Sequence, residues 1–307
     1  MKNCLRFDCN LPAALSYTRC VQAGDKKYIL AVSGGVDSVV MLDMARQQHA
    51  PQQLIVAHFD HGIRADSALD ARFVAGLAEK YGCAFRVRRA ELGVGASEDR
   101  ARRARYDFLF SLAREYGAEI WLAQHREDVV ESVAINLARG TGWRGLAVMS
   151  REGLNRPIIA MTKREIYAYA CQNRLEWVED ETNEKDYYLR NRLRRKIFES
   201  ISDEARAKIA QLRDEQVRLK RAIFAEGASL LPDSRQARYF LAQLLPLVAE
   251  ELLRIAIEQQ VGVLITRPQA ARALLAVKTL PVGARCDVAE GIYLLMTQKG
   301  FEIRRTG

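Results

Sequence analysis

The 307-residue sequence lacks the features that mark membrane, secreted or disulfide-stabilised proteins. No apolar run approaches the ~18 residues of a membrane-spanning helix, and charged residues interrupt the N-terminal segment where a signal peptide is continuously apolar. The six cysteines are scattered without a C-x-x-C pair, and there are only four histidines. This pattern disfavours a disulfide framework and a zinc site. We therefore predict a cytoplasmic protein with reduced thiols and no membrane partner.

Positive charge is abundant by contrast, and it is concentrated in two places. The formal net charge is +9. Arg100, Arg102, Arg103 and Arg105 fall within six residues, and the segment 190–196 (RNRLRRK) holds five cations and no acid. Either cluster alone is equally compatible with a solvated helix face. Two such clusters in a basic protein favour a polyanionic partner, and we predict nucleic acid.

Short apolar strands alternate with helical segments along the first 140 residues. The strands are predicted at 27–33, 53–59, 84–89 and 119–124, and the helices at 36–49, 66–81, 98–116 and 127–138. Strands and helices of these lengths in alternation are typical of βαβ units. They predict an α/β fold, in which a parallel sheet is covered by helices on both faces.

The pattern changes after Gly140. We predict a glycine-rich loop at 139–153, a short helix at 162–173, a polar connection at 175–186, a charged helical region at 190–228, a linker at 230–236, two short helices ending near 277 and a terminal β-hairpin at 291–305. The sequence therefore divides into an α/β domain, residues 1–200, and a mostly helical domain, residues 201–307.

A glycine-rich turn joins the first predicted strand to the first helix. Its residues are Ser33, Gly34, Gly35, Val36, Asp37 and Ser38. Adjacent glycines let the backbone approach an anion closely, and the N-terminus of the following helix attracts phosphate. Asp37 would repel a bare phosphate, so it implies a magnesium ion between them. An ordinary capped turn is the alternative, but the complete pattern predicts nucleotide binding.

This turn resembles the pyrophosphate loop of the N-type ATP pyrophosphatases. Further motifs follow with an order and spacing similar to those of the tRNA(Ile)-lysidine synthase family: 56–64 (VAHFDHGIR), 101–109 (ARRARYDFL), 124–132 (QHREDVVES), 139–149 (RGTGWRGLAVM), 156–159 (RPII), 179–183 (EDETN) and 188–194 (YLRNRLR). The resemblance covers residues 28–200 well. It is weaker beyond them, although 280–300 is similar to the end of that family's first C-terminal domain.

Two positions depart from the family pattern. Gln124-His125 stands where the family usually has a pair of histidines, and Glu131-Ser132 stands where it has Glu-Thr. Serine keeps the hydroxyl of threonine, so the second change is mild. Glutamine cannot transfer a proton as an acid or base, which puts in doubt any role that needs the first imidazole.

The resemblance implies a ligase that uses ATP and Mg²⁺. The O2 of the wobble cytidine in an isoleucine tRNA with a CAU anticodon is adenylylated, and the ε-amine of L-lysine then displaces AMP to give lysidine. Asp37, Arg102, Arg105, His125 and Asp128 are the expected catalytic residues, and Asp37 the metal ligand. ATP binding is expected from residues 33–38 with His58 and His61, in the loop after the second strand. Lysine binding is expected from Asp128, Glu131, Arg190 and Arg194, and tRNA binding from Arg192, Arg195 and Lys196 and from the helical domain, residues 201–307.

Three other functions fit parts of the sequence. A tRNA-thiolating relative would normally need a reactive cysteine pair or a cluster site, which the scattered cysteines disfavour. A small-molecule ligase of the same superfamily explains the turn but neither arginine cluster. A non-catalytic tRNA-binding relative does not explain the intact acids Asp37, Asp128 and Glu131. A chain of this length is also compatible with a homodimer.

Overall fold

The computed structural model describes residues 26–62, 67–90, 98–179, 201–231 and 237–306. The chain divides into two compact units, Met1–Asp214 and Glu215–Gly307. The domain boundary predicted at residue 200 stays a prediction, as does the tRNA-binding role of the second domain. Within the described ranges, no helix is both long enough and apolar enough to cross a membrane.

A five-stranded parallel sheet forms the centre of the first unit. Its order is β3-β2-β1-β4-β5, and the strands are β1 (Tyr28–Ala31), β2 (Leu54–Asp60), β3 (Ala84–Arg89), β4 (Glu119–Trp121) and β5 (Leu154–Asn155). The first four strands agree with the sequence prediction, although β4 ends three residues early. The two-residue strand β5 was not predicted.

Helices cover both faces of this sheet. They are α1 (Val36–Gln48), α2 (Ser67–Lys80), α3 (Glu98–Tyr116), α4 (Arg126–Ala138) and α5 (Lys163–Gln172). Because side chains alternate along a strand, Leu30 packs with α1, α2 and α5 on one face, whereas its neighbour Ile29 packs with α3 on the other. The predicted α/β fold with a two-sided parallel sheet is confirmed.

A buried polar network fixes α1 on the sheet. The carboxylate of Asp43 in α1 accepts hydrogen bonds from the hydroxyls of Tyr81 and Tyr169, each at 2.7 Å, and from the Gln47 amide at 3.0 Å. Burial and the hydrogen bond to Asp43 raise the pKa of both tyrosines above the usual range. The network ties α1 to the end of α2 and to α5, and it therefore sets the position of the turn that precedes α1.

The second unit contains helices and a small antiparallel sheet. After α6 (Asp203–Leu230), which begins in the first unit, come α7 (Ala237–Gln243), α8 (Pro246–Val261), α9 (Arg267–Thr279), β6 (Arg285–Ala289), β7 (Ile292–Met296) and β8 (Phe301–Arg305). Three helices follow α6 where two were predicted, because Pro246 starts a new helix after the end of α7. The predicted hairpin is confirmed as β7–β8, and β6 adds a third strand.

Candidate active site at the carboxyl ends of the strands

The hydroxyl of one serine makes hydrogen bonds across the glycine-rich turn. The Ser38 Oγ accepts hydrogen bonds from the backbone N–H groups of Ser33 and Gly34, both at 3.2 Å, and donates one to the carbonyl of Gly35 at 2.8 Å. Gly34 has a φ of +99°, a conformation that side chains with a Cβ rarely adopt. The turn is therefore held by hydrogen bonds among its own residues, and α1 begins directly after it at Val36.

Asp37 lies between two cationic side chains from distant parts of the sequence. Its Oδ1 accepts a hydrogen bond from the Nζ of Lys163 at 2.6 Å, and its Oδ2 is 3.8 Å from the Nε2 of His125. The side chain of Asp37 remains 29% exposed. Lys163, the first residue of α5, was not among the predicted site residues. The fold thus joins the turn to the N-termini of α4 and α5.

His125 is enclosed by carboxylates at the start of α4. Its Nδ1 is 2.9 Å from Glu127 Oε2 and its Nε2 is 3.6 Å from Asp128 Oδ2, with the residue only 2% exposed. Burial alone would lower the pKa of His125, but the hydrogen bond to Glu127 and the charges of Asp128 and Asp37 outweigh it and raise the pKa. The hydrogen bond to Glu127 and the nearby carboxylates thus favour the charged form of the imidazole.

Glu127 connects α4 to α5 and was also absent from the prediction. Both of its carboxylate oxygens accept a hydrogen bond from the backbone N–H of Lys163 at 3.0 Å. Burial would raise the pKa of Glu127, but the hydrogen bonds from His125 and from the Lys163 backbone lower it overall. Glu127 therefore stays ionised and holds Lys163 beside Asp37.

Asp128 and Glu131 differ in exposure, although they lie three residues apart on α4. The side chain of Asp128 is 23% exposed, and its Oδ2 accepts a hydrogen bond from the His125 backbone N–H at 3.0 Å. Glu131 is 2% exposed. Asp128 thus caps the start of α4, and this purely structural role is the alternative to ligand binding. The lysine-binding role of the pair stays a prediction.

The two histidines of the second motif have different environments. The prediction that both lie in the loop after the second strand was wrong for His58, which belongs to β2 and is 4% exposed. Its Nδ1 is 2.9 Å from the carbonyl of Val32 and donates to it, supporting the start of the turn. His61 does follow β2, and burial together with the charge of Arg105 lowers its pKa. Their roles in ATP binding stay predictions.

Two of the predicted arginines, Arg102 and Arg105, lie on α3. The guanidinium groups of Arg102 and Arg105 are 5.5 and 5.6 Å from the ring centre of Tyr106, so both can make cation–π contacts. Their catalytic roles stay predictions. The remaining predicted cations, Arg190, Arg192, Arg194, Arg195 and Lys196, lie outside the described residues.

Gln124 has a defined partner in the folded chain. Its Oε1 accepts a hydrogen bond of 2.5 Å from the Nε of Arg156, the residue that follows β5. The Nη1 of Arg156 donates to the carbonyls of Met149 and Leu154 at 2.8 and 3.0 Å. Glutamine at this position therefore orients a buried guanidinium, which the sequence alone did not indicate.

Comparisons with known proteins identify the family of the chain. A family model described as a PP-loop domain matches residues 11–201, and the chain therefore belongs to the PP-loop family, which supports the use of ATP. The resemblance to tRNA(Ile)-lysidine synthases is confirmed at the level of individual relatives. That of Thermus thermophilus is 39% identical over 222 residues, which cover 67% of this chain and 43% of the relative.

Other relatives give a similar result. The tRNA(Ile)-lysidine synthase of Novosphingobium aromaticivorans is 39% identical over 176 residues, 54% of each chain. The chain thus spans about half the length of the curated relatives it matches. Among solved structures, a U34-tRNA thiolase from Methanococcus maripaludis superposes with a TM-score of 0.53 at 16% identity, covering 64% of this chain and 74% of that one. This likeness shows the fold alone.

Proposed function

We propose that the chain catalyses the formation of lysidine. ATP adenylylates the O2 of the wobble cytidine of an isoleucine tRNA with a CAU anticodon and releases pyrophosphate, and the ε-amine of lysine then attacks C2 and releases AMP. One observation carries this proposal. Asp37 of the nucleotide-binding turn and Asp128 of the predicted lysine site both lie within 4 Å of the same imidazole, His125. Nucleotide and amine would thus meet at one site.

The turn and Lys163 are suited to hold the phosphates of ATP. The N-terminus of α1 provides a partial positive charge behind the turn. The Nζ of Lys163, 2.6 Å from Asp37, adds a full positive charge next to it. Because negative charge shifts onto the leaving pyrophosphate during adenylylation, a cation placed there stabilises the transition state more than the ground state.

The acidic side chains fit a magnesium ion that is shared with phosphate. Asp37 and Asp128 offer partly exposed carboxylate oxygens, the ligand type that Mg²⁺ prefers. Within the described ranges, no group of three or more His, Cys, Asp or Glu residues could hold a metal by itself. Mg²⁺ is commonly held by one or two carboxylates with phosphates and waters. Asp37 would hold the ion, which would neutralise phosphate charge.

Asp128 and Glu131 would bind lysine through its ammonium groups. A carboxylate beside an ammonium raises the pKa of the amine, whereas the attacking ε-amine must be neutral. The acids therefore bind the α-ammonium, or one of them accepts the ε-proton. The two acids and His125, whose Nε2 is 3.6 Å from Asp128 Oδ2, are the candidates for the general base.

Recognition of the tRNA completes the proposal. Arg192, Arg195 and Lys196 would contact backbone phosphates, and Arg190 and Arg194 would approach the lysine site, as the family motif implies. A cytoplasmic location and a homodimeric state belong to the same proposal.

The decisive experiment is a direct assay of the product. The protein is incubated with isoleucine tRNA bearing a CAU anticodon, ATP, Mg²⁺ and labelled lysine, and the digested tRNA is analysed by mass spectrometry for lysidine. We expect lysidine only when ATP and lysine are both present, and none on an isoleucine tRNA with a GAU anticodon. Modification without lysine incorporation, or no reaction on tRNA that is bound, would overturn the proposal.

A further inference from the structure

Arg156 is a buried cation held by neutral groups. The residue is 8% exposed, and its hydrogen bonds go to the Gln124 side chain and to the carbonyls of Met149 and Leu154. Within the described part of the chain, it makes no salt bridge to a carboxylate. Burial of a charge without a counter-charge is costly even when its hydrogen bonds are satisfied. Because the guanidinium is only 8% exposed, Arg156 would act on an anion through its charge and not by direct contact.

Two further arginines add positive charge at this place. Arg213 of α6, which is 9% exposed, donates from Nη2 to the same Met149 carbonyl at 3.0 Å and from Nε to the Val148 carbonyl at 2.9 Å. Burial lowers the pKa of Arg156, the neighbouring Tyr106 raises it, and the charges of Arg213 and Arg102 lower it. Arg213 has one acidic partner, Asp214, at 2.7 Å. Arg156 and Arg213 donate to the same Met149 carbonyl, and the guanidinium of Arg102 is 5.5 Å from the ring centre of Tyr106, which also interacts with Arg156. The three guanidinium groups thus form a cluster with excess positive charge.

The position of this cluster separates it from the nucleotide-binding turn. The turn follows β1, Gln124 lies shortly after β4, and Arg156 follows β5. Since β4 lies between β1 and β5 and neighbouring strands are about 4.8 Å apart, the two sites are separated by about 10 Å across the sheet. One anionic group of a substrate at the turn and a second one at the cluster could therefore be bound at the same time.

We propose that Arg102, Arg156 and Arg213 form an anchor for one backbone phosphate of the RNA substrate, and that Gln124 is its positioning residue. Arg102 is exposed and makes the contact, while the two buried arginines add charge from beneath. The inference rests on the proposed function for the identity of the RNA. An RNA phosphate is favoured over a nucleotide phosphate because the turn and Lys163 already provide for the nucleotide.

This anchor also explains why glutamine suits position 124. The amide oxygen accepts the hydrogen bond from Arg156 and leaves its charge intact. A carboxylate there would neutralise the guanidinium, and a protonated imidazole would add a like charge and lose its acceptor. The neutral acceptor orients the cation without changing the net charge of the cluster.

The test uses Gln124→Glu, which neutralises Arg156 with little change of volume. We expect tRNA affinity to fall about tenfold and the log–log salt dependence of binding to flatten by up to roughly 0.7–0.9, the value for one phosphate contact, because the charge beneath Arg102 is neutralised. ATP affinity, measured by calorimetry, should stay within twofold, and the thermal midpoint should not fall. Gln172→Glu adds the same charge at an exposed site of α5 and is the matched control.

Arg102→Gln is the second variant, because an exposed substitution leaves the fold intact. It should weaken tRNA binding and flatten the salt dependence in the same way. If tRNA affinity and salt dependence are unchanged in both variants, the anchor is overturned. The proposed function still stands in that case, provided that the unmodified protein forms lysidine. Loss of ATP affinity with intact tRNA binding would reassign the cluster to the nucleotide and overturn the inference. If the unmodified protein binds no tRNA, both the anchor and the proposed function are overturned.

Discussion

The two units of the chain bury different kinds of side chain. All the buried polar and charged residues within the described ranges lie between Ser38 and Arg213, in the first unit. The second unit buries one apolar cluster, which includes Leu253, Ile257 and Phe301. Buried charge reduces stability unless it is well partnered, whereas buried apolar surface stabilises directly. The difference indicates that the first unit is organised for chemistry and the second for packing.

The largest effect on stability is expected in the second unit. Leu253→Ala removes a fully buried side chain and should lower the free energy of unfolding by about 2–5 kcal/mol. Hydrogen exchange should show the loss in residues 215–307, with ATP affinity of the first unit changed less than twofold. Leu247→Ala, at a 63% exposed position, is the control and should change stability by less than about 0.5 kcal/mol. An equal loss of protection from hydrogen exchange in both units would contradict the view that the second unit alone depends on this apolar cluster.

The largest effect on activity is expected in the first unit. Asp37→Asn keeps the volume of the side chain but removes the charge that contacts Lys163 and would hold Mg²⁺. Lysidine formation should fall by roughly 100- to 1000-fold, the scale of losing one transition-state contact, while tRNA affinity stays within twofold. Asp203→Asn, whose side chain is 88% exposed, is the control. Turnover within tenfold of the unmodified protein would contradict the assignment of the turn.

A more selective effect is expected from the acids of α4. Asp128→Asn and Glu131→Gln should each raise the lysine concentration needed for half-maximal rate by about 10- to 100-fold, because each removes a charged hydrogen bond of about 1.5–3 kcal/mol. ATP–pyrophosphate exchange dependent on tRNA should survive. Glu152→Gln, at an exposed position, is the control. If the variants lose ATP–pyrophosphate exchange and their lysine dependence is unchanged, Asp128 and Glu131 belong to the magnesium site.

The smallest effect concerns pH and the network of Asp43. The raised pKa values of Tyr81 and Tyr169 mean that the folded state keeps protons that the unfolded state releases. Their contribution to stability is complete below the unfolded pKa of about 10 and is lost as the pH rises above it. Tyr81→Phe should cost about 1 kcal/mol near neutral pH and make urea unfolding less sensitive to pH above 10. Tyr239→Phe, at a 73% exposed position, should change neither quantity.

Most of the fold could be predicted because its signals are local. The bounds of α3 agree with the prediction, and those of α1 differ by one residue, because apolar spacing and flanking turns mark their ends. Strand β5 has two residues and no periodicity to detect. The sequence predicted two helices after the linker where the structure has three, because only a short non-helical segment separates α7 from Pro246, where α8 begins.

The site could be predicted only where a residue belongs to a recognisable motif. Asp37 and His125 are marked by their sequence neighbours, and the fold places them 3.8 Å apart. Lys163 is a single lysine at the start of a helix, which is typical of an exposed residue. Its contact with Asp37 spans 126 residues of sequence and arises from strand order. The hydrogen bond between Gln124 and Arg156 could not be predicted either, because it also joins residues that are distant in the sequence.

The strand order also fixes when this site can form during synthesis on the ribosome. Strands β1, β2 and β3 are made first and can pair with one another, which leaves one edge of the central strand β1 open until β4 follows. Asp37 is made early, but it meets His125 and Lys163 only after the chain has been extended through α5. Until β4 is made, the nascent chain carries an unpaired apolar strand edge, the kind of surface that promotes aggregation. Incomplete chains that end before β4 should therefore aggregate and depend on chaperones, whereas chains completed through α5 should not.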